Sequence, residues 1–324
     1  MPPLNTGFEK MNQFGKEGIP FLFIIDFDGN QVIVTPLDQV DRSRMLYSFN
    51  GKSNLDKPLS IKDKLTFRIT PVSSDRYQQA FELVQQHLHY GDSFLLNLTM
   101  PSVVESNYSL QEIFYSAYAR YKLWMKDRFV VFSPETFVTI EDSIIRSFPM
   151  KGTIDASIAD AERKLLESEK ELAEHYTIVD LIRNDLSMVS KNVRVERFRY
   201  IERLETYRNC LLQMSSEIAG DLSHDYHENI GTILSKMLPA GSITGAPKKR
   251  TVEIIRQAEQ YERGFYTGVM GIFDGTNLDS AVMIRFVEQT PGGLIYKSGG
   301  GITTRSRCDE EYQELMDKIY VPVA

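Results

Sequence analysis

The apolar segments of this chain come in pairs joined by short turns, and this arrangement restricts the fold more than any other sequence feature. Residues 21–37 place two apolar stretches around an Asp-Gly-Asn turn, the pattern of a β-hairpin. Residues 128–153 do the same around Asp142 and Ser143. Strands joined by tight turns run antiparallel, whereas parallel strands need long crossover connections. The sequence therefore predicts large, mostly antiparallel sheets.

Helical periodicity marks five other segments: 73–92, 109–124, the first two thirds of 157–190, 244–261 and 308–320. Ser74 or Asp75 suits the start of the first helix and Gly91 its end, and Pro247 suits the start of the fourth. Further strands are predicted at 93–104 and in the segments TGVMGIFD, DSAVMIRFVEQ and GGLIYKSGGGIT. Because strands come in groups and do not alternate with helices, we predict an α+β fold of sandwich-like antiparallel sheets flanked by helices.

Composition and charge narrow the class of protein. Of the 324 residues, 42% are hydrophobic and 25% charged, as in an ordinary globular protein. No proline- and glycine-rich linker divides the sequence, so we expect a single domain over residues 1–324. The net charge of −7 argues against a nucleic-acid partner. The apolar run at residues 19–25 is too short to span a membrane, and two cysteines suggest a reducing compartment, so a cytoplasmic enzyme is expected.

Two pairs of glutamates are candidates for a metal site. Glu171 and Glu174 lie in one predicted helix, and Glu311 and Glu314 lie in another. A spacing of three residues puts both members of a pair on the same helix face. Two such faces turned toward each other would supply the carboxylate oxygens that Mg²⁺ prefers. Glutamate is also a good helix former, so from spacing alone solvent-exposed pairs are the simpler interpretation.

Two glycine-rich stretches suit the binding of an anion. In residues 238–250 a Gly-Ser-x-Thr-Gly run precedes a predicted helix, whose free N–H groups and dipole favour a carboxylate. Residues 297–306 contain three consecutive glycines after a strand, which let the backbone approach a ligand closely. A tight turn with a helix cap explains either stretch without a ligand. Arg183 and Asp185 are interpreted as a buried structural pair, with a role in the site as the alternative.

A series of motifs resembles those of the chorismate-utilising enzymes. In chain order, between Asp75 and Lys318, they are SPETF, PMKGT, KELAEHYTIVDLIRND, GSITGAPKKRTVEII, ERGFYTGVMGIFD, MIRF, GGGI and DEEYQELMDK. That family includes anthranilate synthases, aminodeoxychorismate synthase component I, and isochorismate and salicylate synthases. The likeness is greatest to the aminodeoxychorismate synthase component I branch, because Lys151 in PMKGT stands where anthranilate synthases have alanine.

The resemblance implies that Lys151 is a covalent nucleophile. Chorismate must exchange its C4 hydroxyl for an amine with retained stereochemistry, and one direct displacement would invert it. Attack of the Lys151 amine at C2 would expel the hydroxyl, and ammonia would add at C4 as the lysine departs. Glu135 in SPETF matches a general acid that protonates the leaving hydroxyl.

The resemblance also implies a metal and a substrate pocket. The four helical glutamates match ligands of Mg²⁺, which would neutralise and orient the ring carboxylate. Lys318 matches a position near the metal, and Thr244 a position in the pocket. The positions that match the pocket for the enolpyruvyl carboxylate are Tyr266, Arg285, Gly299, Gly300 and Gly301.

Three departures from the family pattern refine the expectation. Gln213 stands where a histidine linked to pyruvate elimination is usual, which fits a product that keeps its enolpyruvyl group. Leu95 replaces a glutamine or lysine, and leucine cannot activate water. Residues 1–74 form a shortened, strand-rich part that we expect to pack on a catalytic core of residues 75–324, so feedback by tryptophan is not expected.

These features together predict that chorismate and ammonia are converted to 4-amino-4-deoxychorismate, the precursor of p-aminobenzoate in folate biosynthesis. Neither Cys210 nor Cys308 sits in a glycine-rich nucleophile elbow, so ammonia is expected from a separate class I glutamine amidotransferase. An anthranilate synthase-like paralogue and a non-catalytic chorismate-binding subunit are the alternatives.

Overall fold

The structure is a computed structural model that describes residues 5–56, 59, 61, 63–205 and 210–323; the side chain of Glu171 is not among those described. Its helices are α1 (Thr6–Lys16), α2 (Ser74–Tyr90), α3 (Leu110–Ser116), α4 (Ala161–Glu167), α5 (Glu169–Ser187), α6 (Ile230–Met237), α7 (Lys248–Glu259) and α8 (Cys308–Asp317). Its strands are β1 (Phe21–Ile25), β2 (Val32–Pro36), β3 (Met45–Phe49), β4 (Lys52–Ser53), β5 (Phe67–Thr70), β6 (Leu95–Ser106), β7 (Tyr121–Met125), β8 (Phe129–Ser133), β9 (Thr136–Glu141), β10 (Ile144–Ser147), β11 (Met150–Asp155), β12 (Lys191–Glu205), β13 (Cys210–Asp221), β14 (Gly245–Ala246), β15 (Val269–Phe273), β16 (Leu278–Val282), β17 (Phe286–Thr290) and β18 (Gly293–Ile302).

Two antiparallel sheets form the centre of the fold. The first has the order β11-β13-β10-β9-β16-β15-β1-β2, with β12 also paired to β13. The second has the order β14-β6-β18-β17-β8-β7-β3-β4, with β5 also paired to β6. Every pairing between these strands is antiparallel, as the hairpin pattern predicts; the pairs β1–β2 and β9–β10 are the two predicted hairpins.

The sheets pack face to face with helices on both outer surfaces. Buried side chains of β1 and β15 in the first sheet and of β3, β7 and β8 in the second share one apolar cluster between the sheets. A second cluster joins α1, α5 and α6 to the first sheet, and a third joins α2, α3, α7 and α8 to the second. The predicted α+β architecture of large antiparallel sheets flanked by helices is confirmed.

Strands from the first 74 residues belong to both sheets. β1 pairs with β15, β3 pairs with β7, and β5 pairs with β6. The segment therefore contributes interior and edge strands to sheets that residues 75–323 complete. The division into an N-terminal part and a catalytic core stays a prediction.

Several element boundaries differ from those predicted. The predicted helix over 109–124 ends at Ser116, and Tyr121–Met125 is a strand buried between β3 and β8. The helix predicted in 157–190 is interrupted at Ser168, between α4 and α5. The cap of α2 is Ser73 and not Ser74 or Asp75, and Gly91 ends that helix with φ +88° as predicted.

Candidate active site

A cavity of about 470 Å³ collects most of the predicted site residues. It is bounded by the glycine run of β18, by β11, α5 and α8, and by the loops before β9, α7 and β17. The predicted residues that line it are Glu135, Lys151, Glu174, Tyr266, Arg285, Gly299, Gly301, Glu311, Glu314 and Lys318. These residues lie more than 180 positions apart in the chain at their extremes, so only the folded sheets bring them together.

Lys151 reaches the cavity from an irregular part of β11. The pairing of β11 with β13 shifts register between Met150 and Thr153, and Gly152 has φ +78°. The mostly buried Lys151 side chain places its Nζ atom 3.6 Å from the Glu174 carboxylate. A Cβ atom on Gly301 would lie 3.2 Å from the same Nζ and 3.3 Å from Leu95 Cδ1. Because Gly301 has no side chain, the end of the Lys151 side chain can occupy this space.

Glu135 lies between β8 and β9 and faces the same cavity. Its backbone N–H donates to Ser133 Oγ at 3.1 Å, and its carboxylate accepts a hydrogen bond from Ser242 Oγ at 2.7 Å. Burial deep in the protein raises the pKa of this carboxyl group, and Ser242 and nearby cations offset only part of that effect. The group therefore keeps a proton to a higher pH than an exposed glutamate, which suits a proton donor.

Three of the four predicted metal ligands face the cavity from two helices. Glu174 belongs to α5, and Glu311 and Glu314 belong to α8. A Cβ atom on Gly300 would lie 3.0 Å from a Glu314 oxygen and 3.5 Å from a Glu311 oxygen, so these two carboxylates converge above that glycine.

The predicted metal site stays a prediction, because the structure describes only part of the ligand set. The fourth residue, Glu171, has its side chain outside the described part of the chain. Among the described side chains, no three acidic, histidine or cysteine groups lie close enough together to hold a metal ion by themselves. Carboxylate oxygens are nevertheless the ligands that Mg²⁺ takes, so the donor chemistry of the three glutamates fits the ion.

Two of these glutamates each lie beside a lysine: Glu174 beside Lys151, and Glu314 beside Lys318. Lys318 Nζ is 2.5 Å from Glu314 and donates to the Gly299 carbonyl oxygen at 3.0 Å. Burial lowers the pKa of Lys318, and the Glu314 carboxylate opposes this effect. Each of these lysines thus lies beside a carboxylate, and an anionic ligand would be drawn to the lysines and Arg285.

Arg285 and Tyr266 also line the cavity. Arg285 directly precedes β17 with φ +56°, and its guanidinium lies 5.3 Å from the centre of the Tyr320 ring. Its Nε atom is buried and has no hydrogen-bond partner among the described residues. The Tyr266 side chain is buried, and burial raises the pKa of its hydroxyl, so it stays protonated as a hydrogen-bond donor.

Two predicted residues lie at the cavity without lining it. Thr244 is fully buried, and its hydroxyl donates to the Ala240 carbonyl oxygen at 2.5 Å, so it holds the loop and does not face the cavity. Gly300 lies behind the lining, below the α8 carboxylates. The three glycines are not in a turn: they are the last part of β18.

The Gly-Ser-x-Thr-Gly run does not open a helix directly. Gly241–Ile243 forms a short 3₁₀ turn, β14 follows, and α7 begins only at Lys248 after the capping residue Pro247. The predicted helix start at residue 244 is therefore wrong, and an anion site at this run stays a prediction. The run instead supplies Ser242, which hydrogen-bonds to Glu135.

The predicted pair of Arg183 and Asp185 is not formed. Asp185 is buried, lies 2.7 Å from Lys248 Nζ and accepts from the Gly241 backbone N–H at 3.2 Å. Arg183 is exposed and lies 3.4 Å from Asp180. Asp185 thus has the structural role, because it fixes the loop that carries Ser242.

Sequence reasoning missed the buried groups that support these walls. Arg263 and Glu259 form an ion pair beneath the cavity, and Lys297 and Ser298 line it from β18. All four residues lie within motifs or segments named in the sequence analysis, but a single sequence gives no signal that a given arginine or serine is buried. His175 is a further buried group that sequence reasoning missed. It is fully buried, and burial lowers its pKa to about 4. Its Nε2 atom lies 2.7 Å from Ser216 Oγ.

Comparison with known proteins identifies related chains. An uncharacterized PabA-like protein of Pasteurella multocida is 50% identical over 321 residues, which are 99% of each chain. Aminodeoxychorismate synthase component 1 of Bacillus subtilis is 33% identical over 77% of this chain and 55% of its own. Anthranilate synthase component 1 of Acetivibrio thermocellus is 34% identical over 72% of this chain and 49% of its own. This chain spans about half the length of those two enzymes.

The comparison of folds agrees with the comparison of sequences. The menaquinone-specific isochorismate synthase of Escherichia coli aligns with a TM-score of 0.72 at 16% identity, over 95% of this chain and 79% of its own, which shows a shared fold. Among the described helices, none has the length and apolar character that crossing a membrane requires. The family described as chorismate binding enzyme matches residues 38–324, as the motifs predict. The chain therefore belongs to the chorismate binding enzyme family and is similar to aminodeoxychorismate synthase component 1.

Proposed function

We propose that this chain replaces the C4 hydroxyl of chorismate with ammonia to give 4-amino-4-deoxychorismate. The observation that carries the proposal is that Lys151 and Glu135 line one cavity, where burial raises the pKa of the Glu135 carboxyl group. A displacement with retention needs a nucleophile and a proton donor at the same ring. A lysine and a glutamate that suit these roles line the cavity, together with cations that suit a dianionic substrate.

The mechanism consists of two displacements. Lys151 first gives a proton to solvent, and its neutral Nζ bonds to C2 while the two ring double bonds shift toward C4 and the C4–oxygen bond breaks. The proton of Glu135 goes to the departing oxygen, which leaves as water. Ammonia then bonds to C4 and gives one proton to the Glu135 carboxylate. The double bonds return, the C2–nitrogen bond breaks, and Lys151 is released neutral.

The carboxylates of α5 and α8 are proposed to hold Mg²⁺. Glu174, Glu311 and Glu314, with Glu171 by family resemblance, would be its ligands. When bound, the ion neutralises the ring carboxylate of chorismate. The lysine ion pairs at Glu174 and Glu314 are consistent with this role, because carboxylates that attract ammonium groups also attract a divalent cation.

Gln213 in the cavity and Leu95 beside Gly301 favour amination over related reactions. Leu95 lies beside the space between Gly301 and Lys151 and has no group that activates water. Gln213 lines the cavity where an imidazole would serve as a base for pyruvate elimination. Both side chains therefore favour a product that gains nitrogen and keeps its enolpyruvyl group.

Ammonia is proposed to come from a separate class I glutamine amidotransferase. Neither cysteine of this chain has the setting of a glutaminase nucleophile: burial and acidic neighbours raise the pKa of Cys308, and Cys210 lies in β13. The partner should be dispensable when free ammonium is abundant. Activity with ammonium alone and activity with glutamine only after the partner is added would support this division of labour.

Product analysis tests the proposed function. The purified chain is incubated with chorismate, magnesium chloride and ammonium chloride, and the products are separated and identified by mass. We expect 4-amino-4-deoxychorismate, with no product when ammonium is omitted. Fluorescent anthranilate with released pyruvate would overturn the proposal in favour of the anthranilate synthase-like alternative, which the 34% identity to such an enzyme makes the second candidate. Binding of chorismate without turnover would indicate a non-catalytic subunit.

A further inference from the structure

Ser298 is a buried serine whose hydroxyl has no hydrogen-bond partner among the described residues. It lies inside β18, is 3% exposed, and lines the candidate cavity. A buried hydroxyl left unpaired destabilises the fold, so such a group calls for an explanation. The buried Ser280 shows the usual outcome: its hydroxyl donates to the Val138 carbonyl oxygen at 2.6 Å and accepts from the Val138 N–H at 3.1 Å.

A second unpaired donor lies in the same cavity as Ser298. Arg285 lines the same cavity, and its Nε atom is buried without a partner in the described part of the chain. In the antiparallel pairing of β17 and β18, Phe286 is opposite Lys297. Arg285 and Ser298 are the next residues along these two strands, and the φ of +56° at Arg285 ends the extended conformation there, so the two backbones lie close together without forming a ladder pair. Two buried donors without partners among the described residues therefore line one cavity from neighbouring strands.

The chemistry of these two donors indicates that their ligand is a carboxylate. A guanidinium and a hydroxyl both donate hydrogen bonds, and a planar anion with several lone pairs accepts from both. The Lys318 ammonium, held on the carbonyl oxygen of Gly299, adds positive charge one residue farther along β18. An uncharged ligand would leave the guanidinium without a counter-charge in a buried place.

We propose that Ser298 is a substrate-binding residue whose hydroxyl donates to the carboxylate that Arg285 holds. The inference deepens the proposed function, since it takes chorismate as the carboxylate-bearing ligand. The unpaired hydroxyl is then kept for binding at the expense of stability in the free protein. Removing it should make the free protein no less stable and the complex weaker, whereas a structural serine would change stability and leave binding unaffected.

The test compares Ser298→Ala with Ser280→Ala, both in a Lys151→Ala background so that binding is not followed by reaction at the lysine. Chorismate with magnesium chloride and without ammonium is titrated calorimetrically, and thermal unfolding is measured without ligand. For Ser298→Ala we expect about tenfold weaker chorismate binding, the effect of losing a hydrogen bond to a charged group, and an unchanged or higher unfolding temperature. Ser280→Ala should bind chorismate as its parent does and unfold at a lower temperature.

Chorismate affinity within twofold of the parent, or a loss of stability in Ser298→Ala as large as in Ser280→Ala, would overturn the assignment. Failure of the proposed function gives a different result. A wild-type chain that binds chorismate but forms no amino product refutes the amination chemistry, while the affinity comparison still decides the role of Ser298.

Discussion

Breaking the ion pair between Arg263 and Glu259 should destabilise the protein more than any substitution at the cavity surface. Both side chains are 1% exposed, and the guanidinium makes two bonds to the carboxylate, at 2.6 and 2.9 Å. Arg263 also donates to the carbonyl oxygens of Ile243 at 2.9 Å and Asn97 at 2.7 Å. The pair thus joins α7 to two segments that line the cavity.

The magnitude follows from what Arg263→Met leaves behind. The variant buries an uncompensated Glu259 carboxylate, for which breaking a buried pair typically costs about 3–5 kcal/mol. Hydrogen bonds to Glu259 from the Thr99 N–H and hydroxyl, each at 2.8 Å, keep part of the carboxylate satisfied, so we take about 4 kcal/mol. With an unfolding entropy of roughly 2 cal/mol/K per residue, that corresponds to a fall of about 6 °C in Tm.

A double-mutant cycle measures whether the pair itself is responsible. Urea unfolding is recorded for wild type, Arg263→Met, Glu259→Leu and the double variant. We expect the double variant to be at least about 2 kcal/mol more stable than the sum of the single losses predicts, because neither charge is then left alone. Single losses below about 1 kcal/mol, or losses that add within about 0.5 kcal/mol, would refute the reasoning.

Three further substitutions address the chemistry and the backbone. Lys151→Ala should lower the rate of amination by at least about 100-fold while chorismate affinity changes little, because the amine acts on the reacting carbon. Kinetics measures the rate and calorimetry the affinity. A variant that keeps its activity would contradict the covalent step. Glu135 carries its proton at low pH and loses it as pH rises through its raised pKa, so kcat/KM should fall on the alkaline side of that pKa, and a pH–rate profile of Glu135→Gln should lack this limb. Gly245→Ala should lower the free energy of unfolding by about 3 kcal/mol, because φ is +132° and the new Cβ would lie 1.8 Å from the Leu95 carbonyl oxygen. The control Gly293→Ala, with φ +115° and open space around the new Cβ, should lower it by only about 1 kcal/mol in the same urea assay.

The parts of the fold that the sequence predicts well depend on local signals. The Asp-Gly-Asn hairpin, the Gly91 helix end and the antiparallel arrangement each follow from residues adjacent in the chain. The segment 121–125 was assigned wrongly to a helix because its apolar residues continue the periodicity of α3. Burial between β3 and β8 decides the outcome, and that contact cannot be read from the segment itself.

The long pair of β12 and β13 escaped prediction for a related reason. β12 alternates charged and apolar residues only over short stretches. Its register shifts three times against β13, and Asn192 and Arg199 have positive φ. Each shift moves the apolar residues to the other face, so no regular period of two extends along the strand. The site residues were found through family motifs, whereas Ser298 and the ion pair of Arg263 became visible only with burial.

The glycine run of β18 shows why a site like this is hard to derive from sequence spacing. A Cβ on Gly299 would lie 2.1 Å from the Leu98 carbonyl oxygen, so this glycine lets two strands approach. One on Gly300 would meet the α8 carboxylates, and one on Gly301 would meet Lys151 Nζ. Three adjacent positions thus serve strand packing, the acidic wall and the nucleophile in turn. Their requirement for glycine comes from three neighbours distant in the chain and not from a turn, because the backbone here is an extended strand.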